Sequence, residues 1–316
     1  MRILYYNNCW FTNVGEAFID IGAMEMLRRA VPGVRLANIS NMTAHYVGAI
    51  ATGHQAHPAR RWFNRLRPLP AHSIYSAARD FEADAVVLAG MVATREFLTT
   101  GSCAMIREFA RRGTRLILIG VGASEYSEAE RAAFRNFLRE TPVAGLIARD
   151  PQTHEACAGQ IARCFPGIDC AFWVPDAFDP RGFARNQYDV VSFCRSPEPA
   201  MFAHWPRDII RPFHFQFGAD RSHLRPDMLI SDSPYDYLTV YANARHVHTD
   251  LVHGAIISLA YDIPIKYYHD SPRARALHSL EELETGAEGF LRVSRAHLEL
   301  KKTQMIERLR TILESI

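Results

Sequence analysis

The sequence predicts an α/β protein of two domains, each a largely parallel sheet with helices on its faces, and three observations predict it. Short apolar runs alternate with helix-length amphipathic segments along the chain, which is the pattern of βαβ units. The runs are almost continuously apolar, as in strands covered by helices on both faces. The chain has 316 residues, 48% of them hydrophobic, and single cores stop growing near ~250 to 300 residues, so two cores are expected.

The elements follow in order. RILYY reads as the first strand and Glu16 to Val31 as its helix; DAVVLAG precedes a helix over Ser102 to Arg112; RLILIGVG precedes Ser127 to Glu140; GLIARD precedes Pro151 to Arg163. Two prolines, a glycine and mixed charges over Pro175 to Gln187 break this pattern and mark a boundary between domains 1–180 and 181–316. Beyond it YDVVSFC, RDIIRPFHFQFG, DMLISDS, SPYDYLTVYANA, HVHTDLVHGAIISLAYD and IPIKYYH repeat the α/β alternation. Leu298, Met305, Leu309, Ile312 and Leu313 lie among charged residues between His297 and Ile316, which suits an amphipathic C-terminal helix that crosses back to the first domain. Ala51 to Ser73, rich in Pro, His and Arg, is the least patterned stretch and reads as a surface excursion or loop.

Composition excludes several classes. Thirty-six basic and 34 acidic residues give +2, too little for a polyanion footprint, so nucleic acid is not the expected partner. MRILYYNN turns polar within a few residues and no window approaches the ~20 apolar residues of a membrane span, so a cytoplasmic protein is expected. Cys9, Cys103, Cys157, Cys164, Cys170 and Cys194 form no CxxC pair and read as reduced, mostly buried thiols. The spacing of Cys157, Cys164 and Cys170 fits no common zinc site, and no metal or cofactor is expected.

Five places suit an anion. Asn13 and Gly15, with Glu16, lie between the first strand and its helix, where glycine allows a tight turn with exposed amides; an Asn-Gly turn with a helix cap accounts for them equally. Gly120 and Gly122 follow LILI and permit close backbone approach to a phosphate, without completing a dinucleotide fingerprint; Gly90 closes AVVLA as a similar strand-end turn. Arg149, beside a helix-capping Asp150, is placed either to hold a carboxylate or phosphate or to form a salt bridge. Ser231 and Asp232 end a strand before a helix and serve an anion or a plain cap.

The fifth is HVHTDLVHG. His246, His248 and Asp250 alternate on one strand face, a metal-ligand spacing that lacks further ligands. With Asp250 as the cap, His253 is the third helical residue, a proton carrier at a helix N-terminus facing the interdomain cleft. Together these strand ends describe a cleft for a phosphorylated ligand.

Taken in order, the motifs resemble the polysaccharide pyruvyltransferase family. They are Asn13-x-Gly15-Glu16, Gly90, Gly120-x-Gly122, Arg149-Asp150, Asp169-x-Ala171-Phe172 and Asp250-x-x-His253-Gly254 followed by Pro264. The resemblance implies two Rossmann-like domains facing across a cleft, as in the GT-B architecture. It implies transfer of pyruvate from phosphoenolpyruvate to a sugar of a surface polysaccharide or lipid-linked precursor, with peripheral membrane association as a corollary. On this resemblance His253, Arg149 and Glu16 are catalytic. Gly120, Gly122, Ser231, Asp232, Gly254 and Arg273 bind donor or phosphate and Asn13, Gly15 and Gly90 bind the glycan, with domain 1–180 as the acceptor side and domain 181–316 as the donor side.

The chain departs from the family pattern at three places. Leu251 stands where the family commonly has an arginine two residues before the histidine, leaving Arg149, Arg195, Arg245 or Arg273 to replace it, or a donor other than phosphoenolpyruvate. Glu16 replaces the usual aspartate, and Met91 replaces a second glycine after Gly90. A glycosyltransferase using a nucleotide sugar and a non-catalytic glycan-assembly protein are the rival readings.

Overall fold

The structure is a computed structural model, and it describes residues 1–7, 13–40, 77–99, 101–214, 225–269, 274–278, 280 and 282–315. Arg273, Cys9 and the stretch 51–73 lie outside the described residues.

The first sheet is parallel throughout and consists of β1 (Arg2–Asn7), β2 (Arg35–Ser40), β3 (Ala85–Ala89), β4 (Arg115–Val121), β5 (Val143–Ala148) and β6 (Cys164–Pro166) in the order β2-β1-β3-β4-β5-β6. Every residue of β3 is buried, which accounts for its unbroken AVVLA. Helix α1 (Val14–Ala30) covers one face; α2 (Gly101–Arg111) and α3 (Glu128–Glu140) cover the other, where Ile106, Phe109, Phe134 and Phe137 meet Leu88, Leu116 and Leu118.

The second sheet has the order β12-β13-β11-β10-β7-β8-β9. Its parallel part is β7 (Asp189–Ser192), β8 (Ile209–Pro212), β9 (Met228–Leu229), β10 (Val247–Thr249) and β11 (Ile265–Tyr267). The ribbon β12 (Leu283–Thr285) and β13 (Leu291–Val293) joins β11 antiparallel. In both sheets the strand order reverses at an interior point, beside β1 and β3 in the first and beside β7 and β10 in the second. Ligands bind outside the C-terminal ends of strands at such points.

Local chemistry explains the helix bounds. Asn13 caps α1, with its side chain accepting from Gly15 N, and Arg28 and Arg29 occupy the last turn, where cations complement the dipole. Asp150 caps α4 (Pro151–Cys157), which ends six residues earlier than the sequence pattern extends: Gly159, at φ 77°, reverses the chain, which then forms β6, a strand the pattern does not reveal. Two further helices, α5 (Pro234–Ala242) and α6 (Val252–Ala260), pack on the second sheet, and α7 (Arg295–Leu313) ends the chain.

One apolar core runs through both halves. It joins Phe18, Ile19 and Met26 of α1 to Phe172 and Trp173, to Tyr237 and Tyr241 of α5, and to Ile256 and Ile257 of α6. A Cβ on Gly22 would lie 2.0 Å from the Cys170 carbonyl oxygen, so only glycine lets α1 approach the segment leading to the second sheet. As expected, α7 returns to the first half. Ile312 fills the space left by Gly145, Met305 packs at Ile168, and Arg310 donates to the carbonyls of Ala30 and Arg29 at 3.2 and 3.0 Å.

Candidate active site

The cleft is built at the second switch point, from the junction of β10 and α6. Asp250 does not cap α6, contrary to the sequence expectation. Its carboxylate accepts from the amides of Cys194, Arg195 and Ser196 at 3.0, 2.8 and 2.7 Å and from the Ser196 hydroxyl at 3.0 Å. β7 and β10 are adjacent, so the loop leaving β7 offers Asp250 three consecutive amides, more than a helix N-terminus presents to one cap. Leu251 therefore occupies the N-cap without a side-chain hydrogen bond, and His253 is the second helical residue. Leu251 offers no side-chain hydrogen bond to the first-turn amides of α6, which lie at the cleft, where the helix dipole favours an anion.

His253 is 6% exposed and touches the first half directly. A Cβ on Gly15 would lie 2.6 Å from His253 Nδ1, so the imidazole fits only because position 15 has no side chain. On its other edge, His253 Nε2 lies 3.9 Å from Asp169 Oδ2. Asp169 is fully buried; its Oδ1 accepts from Ala171 N at 2.9 Å, and Oδ2 accepts from Arg149 Nη1 at 2.8 Å. Burial opposes the charge on Arg149, but Asp169, Tyr126 and Asp150 outweigh it and hold its pKa above the ordinary value. Arg149 is packed against Gly122, where a Cβ would lie 2.2 Å from Nε.

The cleft is lined by Asn13, Glu16 and Met91 from the first half and by Arg195, His214, Leu251, His253, Tyr267 and His269 from the second. Asn13 accepts from Gly15 N at 3.0 Å, and its amide lies 3.4 Å from Glu16 Oε1. His214 joins the halves, because its carbonyl accepts from Val14 N at 3.1 Å while its ring Nε2 lies 2.8 Å from Tyr241 Oη. Burial, with His253 nearby, lowers the His214 pKa to about 3 and keeps it neutral at physiological pH. Tyr241 Oη also stands 3.1 Å from where a Gly254 Cβ would be, so Gly254 leaves room for this pair.

The glycines after the first-sheet strands do spatial work. Gly90 has φ 87° and Gly120 φ 57°. The amide of Gly122 donates to the Gly90 carbonyl, and those of Ser124, Glu125 and Tyr126 donate to the buried Glu130 carboxylate. The loop thus closes on itself in this conformation, and Gly122 makes space for Arg149 rather than presenting its amide to the cleft.

Other sequence candidates lie apart. Ser231 and Asp232 follow β9, three strands from β10 and so about 14 Å away at ~4.8 Å per strand. The Ser231 hydroxyl donates to Asp236 at 2.6 Å and accepts from Ser233 N at 3.0 Å, tying the turn before α5. Arg245 precedes β10, at the end away from Asp250. His248 is boxed by Phe202, Trp205, Tyr268 and Phe290; its Nδ1 meets Tyr268 Oη at 3.0 Å, and burial lowers its pKa to about 4. His246 lies 3.3 Å from Asp189. A concavity of about 880 Å³ bordered by Arg2, Asp84, Arg112 and Arg115 opens at the N-terminal edge of the first sheet, the end where such folds do not bind ligands.

Sequence reasoning did not assign a role to Asp169, to Asp250 as a loop organiser, or to His214. Asp169 carried a signal in its DxAF motif, and His214 carried none beyond an isolated histidine in an apolar run.

The fold recurs in solved structures of low sequence identity. UDP-N-acetylglucosamine 2-epimerase from Rickettsia bellii matches with a TM-score of 0.56 at 12% identity, covering 100% of this chain and 96% of that one. A putative UDP-N-acetylglucosamine 2-epimerase from Listeria monocytogenes gives 0.55 at 12% identity, with 99% and 88% covered. UDP-GlcNAc 2-epimerase from Neisseria meningitidis, bound to UDP-GlcNAc, gives 0.51 at 12% identity, with 99% and 93% covered. No curated protein sequence matches. These likenesses establish the two-domain GT-B-type fold. The description of the polysaccharide pyruvyl transferases matches residues 13–265, from the cap of α1 to the first residue of β11, and so takes in both sides of the cleft from Asn13 to His253, with the lining residues Tyr267 and His269 just beyond it. The chain belongs to the polysaccharide pyruvyl transferase family.

Proposed function

We propose that the protein transfers pyruvate from phosphoenolpyruvate to two hydroxyls of a glycan, forming a cyclic ketal and releasing phosphate. The observation that carries this reading is His253 in the first turn of α6, whose N-cap Leu251 makes no side-chain hydrogen bond, with Asp169 behind it and the first half of the chain across the cleft. A histidine there combines a proton near neutral pH with an anion-binding helix end.

The chemistry needs both. Protonating the methylene carbon of phosphoenolpyruvate turns it into a methyl group and makes the carbon bearing the phosphate ester electrophilic. A sugar hydroxyl adds there and loses its proton; a second hydroxyl then displaces phosphate, which departs as its C–O bond breaks and takes up that hydroxyl's proton, and the ketal closes. Nε2 of His253 lies on the Asp169 side, which leaves Nδ1, beside Gly15, as the nitrogen that delivers the proton. Val252 to Gly254 supply first-turn amides to the donor's carboxylate or phosphate, and Arg195, in the cleft wall, supplies the guanidinium that Leu251 cannot. Glu16 and Asn13 face the glycan from domain 1–180, and domain 181–316 holds the donor. The glycan is a surface polysaccharide repeat or its lipid-linked precursor, which would bring the protein to a membrane surface. Among the described residues no helix is long and apolar enough to cross a membrane.

The test is release of inorganic phosphate that requires both phosphoenolpyruvate and a diol-bearing glycan. Absence of turnover across a broad panel of glycans overturns the reading.

Leu251 favours one other reading, a glycosyltransferase using a nucleotide sugar. Against it, the amides after β7, a ready nest for a diphosphate, are occupied by the Asp250 carboxylate. Thermal stabilisation by a nucleoside diphosphate and none by phosphoenolpyruvate would reverse this preference.

A further inference from the structure

We propose that Arg149 is a positioning residue that does not touch the donor: it holds Asp169, and Asp169 sets the orientation and charge of the His253 imidazole. The kinetic part of this inference rests on the function proposed above; the electrostatic part does not.

Five observations carry it. Arg149 is 0% exposed and is not among the residues lining the cleft. One carboxylate oxygen, Asp169 Oδ2, is shared: it lies 2.8 Å from Arg149 Nη1 and 3.9 Å from His253 Nε2. The other oxygen is held by Ala171 N at 2.9 Å, where Asp169 caps the 3₁₀ helix Cys170–Trp173, so the carboxylate cannot rotate without losing a bond. Gly122 walls the guanidinium, since any Cβ there would meet Nε at 2.2 Å. Nε and Nη2 of Arg149 have no hydrogen-bond partner among the described residues. An arginine placed for a ligand would direct those donors into the cleft; here they abut a glycine backbone.

The distance from Nε2 to Oδ2 exceeds a hydrogen bond, so Asp169 acts on His253 through its charge. Arg149, in contact with the same oxygen, offsets part of that negative charge. The imidazolium is thereby favoured without being held too tightly to give up its proton.

The charge relay makes opposite predictions for its two members. Histidine ring resonances of the full chain are followed by NMR against pH, with His253 assigned by its loss in His253→Gln. Asp169→Asn removes the attracting charge and should lower the His253 titration midpoint by about half a unit or more. Arg149→Met removes the opposing positive charge and should raise it by a similar amount, about half a unit, while Arg149→Lys should leave it near wild type. Glu16, Arg195, His214, Asp250, Tyr267 and His269 face the same cleft and are unchanged in every variant. Should Arg149→Met fail to fold, Gly122→Ala, whose Cβ displaces the guanidinium, takes its place, with the midpoint again moving up. No movement, or movement of both variants in one direction, overturns the relay.

A kinetic arm tests the absence of donor contact. With phosphoenolpyruvate and a glycan, Arg149→Lys should lower kcat by about tenfold or more while the donor KM changes less than about threefold. A large rise in donor KM with kcat unchanged overturns the positioning role. If wild type shows no turnover, the proposed function fails while the NMR result still decides the relay.

Discussion

Gly15 and His253 meet across the two halves of the molecule: the space where a Cβ on Gly15 would lie is 2.6 Å from His253 Nδ1. Each sits in the first turn of a helix, α1 and α6, and each helix belongs to a different sheet. The cleft therefore exists only when both halves are docked, and the shared core beneath it, from Phe18 to Ile257, fixes the docking.

Gly15→Ala tests that contact. The residue is helical, so alanine gains about 1 kcal/mol of propensity, but the added methyl overlaps the imidazole, and overpacking of this kind costs about 1–3 kcal/mol. The expected outcome is little change in thermal midpoint with kcat lowered about tenfold or more, as His253 is pushed from its place. It is checked by comparing unfolding curves with turnover; unchanged turnover would show that Nδ1 is not the working nitrogen.

Leu251→Arg restores the residue common in the family. Leu251 is 5% exposed and lines the cleft beside His253. A charge-assisted contact to a carboxylate or phosphate contributes about 1.5–3 kcal/mol, roughly 10- to 150-fold in affinity. Calorimetry should therefore show tighter phosphoenolpyruvate binding by the variant. If Arg195 already serves this purpose, Arg195→Ala will weaken binding and Leu251→Arg will rescue it.

Asp250→Ala leaves the amides of Cys194, Arg195 and Ser196 without their shared acceptor in a nearly buried site. Unsatisfied buried donors cost about 1–3 kcal/mol each before water enters, so a loss of about 2–4 kcal/mol is expected in urea unfolding. The loop after β7 should also gain amide exchange, measurable by hydrogen–deuterium exchange, while β1 to β6 keep their protection.

His214 predicts a pH dependence. Its pKa in the folded protein is about 3, below the ordinary histidine value, because burial disfavours the charged ring and His253 is near. The unfolded chain thus binds the extra proton first as pH falls. The stability associated with neutral His214 is complete above about pH 6.5 and is lost between there and about pH 3, on the order of 5 kcal/mol at most. His214→Gln, which can still bond to Tyr241 Oη, should flatten the change in urea midpoint between pH 7.5 and pH 5. An equally steep loss in the variant would assign the acid sensitivity to another group, with His248, at about 4, the next candidate.

Much of the fold was legible because its signals are local. Continuous apolar runs marked β1, β3, β4 and β5, and caps at Asn13 and Asp150 stand where the sequence places them. β6 and the register of the short strands β8 and β9 were not legible, because strands of two to four residues carry too little periodicity. The site divided in the same way. Histidine at the start of α6, glycine at the start of α1 and an arginine after β5 could be found by residue type and motif order.

Sequence by itself determined the α/β class, the apolar patterning of two sheets, the C-terminal amphipathic helix and the motifs that place the chain in its family. These follow from periodicity and residue chemistry within one segment. Only the tertiary structure decided that Asp250 serves the loop after β7 and not α6, that Gly122 makes room for Arg149, and that Asp169 stands between Arg149 and His253. Each of those depends on which strands lie side by side and on distances of a few ångströms between residues far apart in the chain. Hydrogen bonds and charge pairs are decided by such distances, and no local pattern encodes them.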